Sequence, residues 1–176
     1  MQTLLLYLSS MHTVCQFSVH HDGWILIPFF RAGDRITAGD VHFVEERAAH
    51  NNPDLDRSTI LVPAGNTEFA RDAAFGYHSS NLVDWVKEKA VKAAETEGGQ
   101  LAPATSRVSS VSLQHLRVGG PAEVGKILAE AGGGCVVVNA VEERDLEVWK
   151  SRITAVTDNL FRSTVVLAII RTSFVN

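Results

Sequence analysis

The sequence contains few cysteines, no long apolar run and no excess of basic residues. Only two of its 176 residues are cysteines, Cys15 and Cys135, so a disulfide framework is not expected. No apolar run approaches the length of a membrane span, and the run near the amino terminus covers only Leu4 to Leu8 without a preceding basic residue. The formal net charge of -4 argues against a nucleic acid or an anionic membrane as the main partner. We therefore predict a cytoplasmic protein with reduced thiols and no nucleic-acid or membrane partner.

Several sequence motifs typical of nucleotide-binding and catalytic sites are also absent. The chain has no P-loop, no G-x-G-x-x-G fingerprint and no G-x-S-x-G nucleophile elbow. Of its seven histidines only His20 and His21 form a close pair, so we predict no metal site. The segment "GGPAEVG" (119–125) fits an anion site at a helix start, but a tight strand-to-helix turn explains its glycines equally well. The acidic residues of "NAVEERD" (139–145) fit the first turn of a helix, where negative charge is stabilising.

The remaining pattern is that of one globular domain, with 45% hydrophobic and 20% charged residues. Continuous apolar runs predict strands buried on both faces, and helical spacing predicts helices between them. The predicted strands are 23–30, 41–46, 58–65, 107–113, 135–140 and 163–170, and the predicted helices are 81–97, 119–134 and 141–156. Residues 31–40, "RAGDRITAGD", are predicted as a loop. The order of elements predicts an α/β fold, doubly wound, with a mostly parallel sheet and helices on both faces.

Two polar segments stand out because they combine arginine, histidine and hydroxyl side chains. They are 31–42, with Arg31, Arg35, Thr37 and His42, and 71–79, with Arg71, Tyr77, His78 and Ser79. Arginine holds a carboxylate with two hydrogen bonds, while hydroxyls and imidazole bind sugar hydroxyls, so the set suits a small polyhydroxylated anion. A solvated loop is the alternative interpretation, and the residue types alone leave both open.

The same segments resemble a known family. "PFFRAGDRITAGDVHFV" (28–44) and "LVPAGNTEFARDAAFGYHSSNLVDWVKEK" (61–89) are similar to the amino-terminal domain of the four-carbon acid sugar kinases. The later segments "SLQHLRVGGPAEVGKIL" (112–128) and "CVVVNAVEERDLEVW" (135–149) resemble the same domain. The resemblance implies that this domain holds a threonate- or erythronate-type acid, while a separate carboxy-terminal domain holds ATP and Mg²⁺.

The resemblance also assigns roles to individual residues. Under it, Arg35 binds the substrate carboxylate, and Thr37 and His42 line the pocket or fix its loop. Tyr77, Ser79 and Ser80 contact the sugar or cap the following helix. These six residues are the predicted substrate-binding set, and no catalytic residue is assigned.

The chain also departs from the family pattern. It lacks the family's Asp-Asp-x-Thr/Ser-Gly loop and its Asp-Ser-Thr-x-Arg-Gly segment, and Arg31, Asp34 and His78 stand where the family has proline, glycine and arginine. We therefore interpret residues 1–21 as an unmatched segment and 22–176 as a partial, truncated sugar-acid-binding domain that lacks the nucleotide-binding domain. We expect ATP and Mg²⁺ not to bind to this chain alone, and a homodimer is left open.

Three functions follow from these observations. The first is the substrate-binding domain of a sugar acid kinase. The second is a catalytically inactive homologue that binds a ligand or partner, which the missing acidic loop favours. The third, a nicotinamide-dependent oxidoreductase, rests on fold class alone and lacks the glycine fingerprint.

Overall fold

The computed structural model describes residues 4–8, 13–17, 24–47, 59–71, 78–97, 107–160 and 166–170. In chain order its strands are β1 (Leu4–Leu8), β2 (Thr13–Phe17), β3 (Trp24–Pro28), β4 (Arg35–Ala38), β5 (Val41–Arg47), β6 (Thr59–Pro63), β7 (Val108–Val111), β8 (Cys135–Val138) and β9 (Val166–Ile170). Its helices are α1 (Glu68–Arg71), α2 (Leu82–Glu97), α3 (Gly120–Ala131) and α4 (Glu143–Leu160). A π-helical stretch, His115–Gly119, leads directly into α3.

Four strands form a parallel sheet in the order β7, β8, β3, β9. Trp24 of β3 aligns with Cys135 of β8 on one side and with Val166 of β9 on the other. The two apolar runs predicted as buried strands thus occupy the two central positions. A central strand of a parallel sheet is covered on both faces, which is why neither run alternates with polar residues.

Helices pack on both faces of this sheet, because successive side chains of each strand point to opposite sides. On one face Ile25 and Val136 pack with α3 and α4. On the other face Leu26 and Val137 pack against Leu82 of α2. The predicted mixed α/β fold is therefore confirmed.

A second, antiparallel sheet contains β4, β5 and β6 in that order. The loop predicted over 31–40 was wrong for Arg35–Ala38, which forms β4 and pairs with β5. Gly39 and Asp40 connect the two strands with φ values of 57° and 63°, the positive φ at both central residues that a type I′ hairpin turn requires. Because of this left-handed turn, the polar segment reverses direction and forms a hairpin.

Residues 1–21, for which we predict no element, contain the antiparallel pair β1 and β2, with Leu4 opposite Phe17. Within the described ranges, no helix combines the length and the apolar character needed to cross a membrane.

Candidate functional site

The β4–β5 hairpin lies across the carboxyl ends of β3 and β8. Thr37 fixes it there at two points: its backbone N–H donates to the Ala140 carbonyl at 2.8 Å, and its hydroxyl donates to the Pro28 carbonyl at 2.6 Å. The chain after β3 leads to α2 on one face of the sheet, whereas β8 leads into α4 on the other face. Where neighbouring strands connect to helices on opposite faces, a crevice forms at the carboxyl ends of the strands. Open α/β sheets bind their ligands in this crevice. Here the hairpin occupies that position, so hairpin side chains form the candidate site.

The tip of the hairpin is held by a polar network at the ends of β7 and β8. The fully buried Asn139 side chain donates to Asp40 Oδ1 at 2.8 Å and to the Val111 carbonyl at 3.0 Å. In return the Asp40 backbone N–H donates to Asn139 Oδ1 at 2.8 Å. The Ser110 hydroxyl also donates to the Asp40 carboxylate. This reciprocal bonding fixes the left-handed turn against the parallel sheet.

Arg35, Thr37 and His42 lie on one face of the hairpin. Arg35 and Thr37 are two positions apart on β4, and Thr37 stands directly opposite His42 on β5, so their side chains share a face. Only 6%, 0% and 7% of their surfaces are exposed, respectively. Burying a guanidinium and an imidazole is costly unless hydrogen-bonding partners are provided. These three side chains therefore form a buried polar cluster on the hairpin. Their interpretation as part of a solvated loop is wrong.

The hydrogen-bond geometry determines the state of His42. The Thr37 hydroxyl has one proton, which it donates to the Pro28 carbonyl, so His42 Nδ1, 3.1 Å from Thr37 Oγ1, must be the donor between these two side chains. Burial, and then the positive charge of Arg35, lower the pKa of His42 from 6.5 to about 4, against a smaller opposing effect of the Ile36 backbone. The imidazole is therefore neutral at pH 7 and carries its proton on Nδ1.

His42 Nε2 is consequently an acceptor. The atom is buried, and none of the residues that the structure describes hydrogen-bonds to it. Buried polar atoms in folded proteins are nearly always satisfied by protein, water or ligand. The site thus presents a buried cation next to a buried acceptor, which is a chemistry suited to a ligand that has both a carboxylate and a hydroxyl group.

The segment at the start of α2 lies against the same end of β5. The His42 backbone N–H donates to the Ser80 carbonyl at 2.9 Å, and the Ser80 hydroxyl accepts from the Gly65 N–H at 2.8 Å. The Ser79 hydroxyl bonds the backbone of Asn81, whose own side-chain oxygen accepts from the N–H groups of Val83 and Asp84. Asn81 therefore caps α2, and the two serines fasten the segment to its surroundings.

A comparison with models of protein families also indicates that the chain binds a ligand. Residues 10–166 match the model of the sugar-binding N-terminal domain family. The chain belongs to this family. It is accordingly a sugar-binding module. Comparisons with curated proteins and with solved structures give no significant match.

In this sugar-binding domain the predicted site residues fall into two groups. Arg35, Thr37 and His42 come together on the hairpin, and the Ser79–Ser80 segment touches the backbone of His42. Tyr77 lies outside the described residues. Contact of these residues with a ligand stays a prediction. The hydrogen bonds of Thr37, Ser79 and Ser80 show that these hydroxyls also hold the hairpin and the α2 segment in place.

Sequence reasoning missed the network around Asp40, Ser110 and Asn139. The sequence predicts Asn139 only as part of an acidic helix start and Asp40 only as part of a loop. The available signal was that Asn139 directly follows a buried strand, at the edge where parallel strands place functional groups. Among the described residues, no group of three or more His, Cys, Asp or Glu side chains is arranged to hold a metal ion.

A second missed feature is the ion pair between Arg117 and Asp145. The guanidinium donates two hydrogen bonds to the carboxylate, at 2.7 and 2.9 Å, and the N–H groups of Val141 and Glu142 donate to the same carboxylate. Burial alone would raise the pKa of Asp145, but these hydrogen bonds outweigh it and lower the pKa below its ordinary value. The pair joins the π-helical stretch to the start of α4.

Proposed function

We propose that this chain binds a four-carbon sugar acid of the threonate or erythronate type as the substrate of an ATP-dependent kinase. The membership of the sugar-binding family supports the sugar part of the ligand. The observation that carries the acid part is the buried guanidinium of Arg35 on the same hairpin face as His42. A buried cation favours an anionic ligand because the interior screens charge poorly.

In this proposal Arg35 binds the carboxylate, since its planar fork matches two carboxylate oxygens. Thr37 positions the hairpin and His42, and Ser79 and Ser80 lie toward the hydroxylated end of the ligand; Tyr77 is assigned to the same end from the sequence alone. Phosphoryl transfer then depends mainly on holding the accepting hydroxyl in register with the phosphate donor.

In this proposal ATP and Mg²⁺ are not assigned to the residues that the structure describes. The sequence has no P-loop, and the described part of the chain has no carboxylate cluster for a metal ion. We therefore assign the nucleotide and metal to a separate nucleotide-binding domain, and to this chain only the binding and positioning of the sugar acid.

Calorimetric titration of the chain with threonate, erythronate and the neutral tetritol erythritol tests the proposal. Both acids should bind, and erythritol should bind much more weakly because it lacks the carboxylate. Arg35→Met should weaken acid binding by about 30-fold or more, as expected for removal of one partner of a buried charge pair.

Arg31→Met is the matched control, because Arg31 is exposed and pairs with Glu45 outside the polar face. It should leave the affinity unchanged. Equal affinity of Arg35→Met and the unaltered chain for the acids, with melting curves showing both folded, would refute the assignment of Arg35.

A non-catalytic ligand- or partner-binding module is the second candidate function. The specific observation in its favour is that Arg31, Asp34 and His78 stand where the kinases it resembles have proline, glycine and arginine. An assay of phosphoryl transfer with ATP, Mg²⁺ and a panel of sugar acids separates the two functions. Sugar acid phosphate formed by this chain alone would eliminate the non-catalytic module.

A further inference from the structure

We propose that His42 makes the site selective for α-hydroxy acids, with Nε2 accepting a hydrogen bond from the hydroxyl group next to the ligand's carboxylate. This inference rests on the proposed function and specifies which acids the site accepts. His42 is thereby a specificity-determining residue rather than a general contact.

The first step is the fixed direction of the His42 hydrogen bonds. Because Thr37 donates to Pro28, it can only accept from His42 Nδ1. The neutral imidazole then has a lone pair, and no proton, on Nε2. A ligand group that meets this atom must be a donor. A hydroxyl group qualifies, whereas a carbonyl oxygen or an ionised carboxylate oxygen does not.

The second step is the position of Arg35 relative to His42. Arg35 pairs with Val44 and Thr37 pairs with His42, so Arg35 and His42 are diagonal neighbours on one face of the hairpin. Diagonal side chains of this kind are within reach of each other when they are long. A carboxylate bound to the guanidinium therefore places its adjacent carbon, and the substituent on it, next to the imidazole.

The third step is the exclusion of other donors. An α-amino acid also carries a donor next to its carboxylate, but as an ammonium group. Its positive charge would be buried beside Arg35, where like charges repel strongly. A neutral hydroxyl group can donate to His42 without placing a second positive charge beside Arg35. The selected class is thus 2-hydroxy acids, and the rejected classes are 2-deoxy, 2-oxo and 2-amino acids.

Calorimetry with the intact chain tests this directly, using threonate, 3,4-dihydroxybutanoate and 3,4-dihydroxy-2-oxobutanoate. Threonate should bind roughly 10- to 100-fold more tightly than the other two acids, since each of them leaves Nε2 without a donor. His42→Phe should bind threonate and 3,4-dihydroxybutanoate equally, while His42→Gln, which keeps an acceptor oxygen, should recover part of the preference.

Nitrogen NMR of the chain labelled at histidine provides a readout that does not depend on any variant folding. Nε2 of His42 should resonate as an unprotonated nitrogen and should shift when threonate is added, with no such shift for 3,4-dihydroxybutanoate. A protonated Nε2, or equal affinity for the 2-hydroxy and 2-deoxy acids, would overturn the inference while leaving acid binding intact. Failure of every acid to bind would overturn the proposed function, and the inference with it.

Discussion

Thr37 and His42 face each other across the β4–β5 hairpin, with the Thr37 hydroxyl oxygen 3.1 Å from His42 Nδ1. The same hydroxyl donates to the Pro28 carbonyl at the end of β3. One side chain therefore joins the hairpin to the parallel sheet and also sets the orientation and proton position of the imidazole. Loss of the hydroxyl affects both the stability of the fold and the chemistry of the site.

Thr37→Val keeps the side-chain volume and removes both hydrogen bonds. It should lower the free energy of unfolding by about 1 to 3 kcal/mol, because buried polar atoms lose their partner. Urea denaturation measures the change. Thr154→Val is the control, since Thr154 is exposed on α4 and its hydroxyl donates to the Lys150 carbonyl of the same helix. Its effect should be within about 0.5 kcal/mol, and equal effects of the two substitutions would contradict the role given to Thr37.

Arg117→Gln removes the guanidinium that neutralises Asp145, whose side chain is 2% exposed. Because Arg117 itself is partly exposed to water, we expect a loss of about 2 to 3 kcal/mol in the free energy of unfolding. Lys126→Gln provides the comparison: Lys126 pairs with Glu130 at 3.9 Å on the exposed surface of α3. That change should cost less than about 1 kcal/mol. Similar losses for both would mean that Asp145 does not depend on Arg117.

The low pKa of His42 makes stability depend on pH. The pKa of about 4 in the folded chain lies below the ordinary 6.5 because of burial and then the charge of Arg35. Between these values the unfolded chain binds the extra proton, so the free energy of unfolding falls as the pH decreases. The contribution of His42 to that fall should be about 2 kcal/mol between pH 7 and pH 5. Urea denaturation at both pH values, compared with His42→Gln, isolates it, and identical pH slopes would show that His42 titrates normally.

Cys135 should be chemically inert in the folded protein. Its thiol is 2% exposed, and burial raises its pKa to about 12, so almost no reactive thiolate exists near neutral pH. In a Cys15→Ser variant Cys135 is the sole thiol. A disulfide reagent at pH 8 should leave this variant unmodified until urea unfolds it. Rapid stoichiometric modification without urea would contradict the burial.

The apolar strands could be predicted because both of their faces are covered. Trp24–Pro28 and Cys135–Val138 are continuous apolar runs, which only a central strand of a sheet accommodates. β4 could not be predicted in the same way. Its polar residues Arg35 and Thr37 point into a buried face, so the usual relation between polarity and exposure is reversed there. Residues of this kind in a glycine-containing segment have the pattern of a solvated loop.

For the site, the sequence and its family resemblance predict Arg35, Thr37 and His42 as ligand contacts, but they do not predict the hydrogen-bonding state of these residues. That state depends on partners far along the chain, as with Asp40 and Asn139, which are separated by 99 positions. The proton on His42 Nδ1 likewise follows from the Pro28 carbonyl, which only the fold brings to Thr37. Local patterns contain no information about such pairings.

The topology also has a consequence for how the chain folds during synthesis. β4, β5 and β6 pair with neighbours close in sequence, whereas Trp24 of β3 pairs with Cys135 and Val166, which are made much later. Sheets with local pairings form faster than sheets that close long loops. Pulse-labelled hydrogen exchange should therefore protect the amides of β4 and β5 before those of β3. On the ribosome, the hairpin that bears the candidate site should therefore pair before the parallel sheet on which it rests, and β3 should wait for its strand partner until β8 is synthesised.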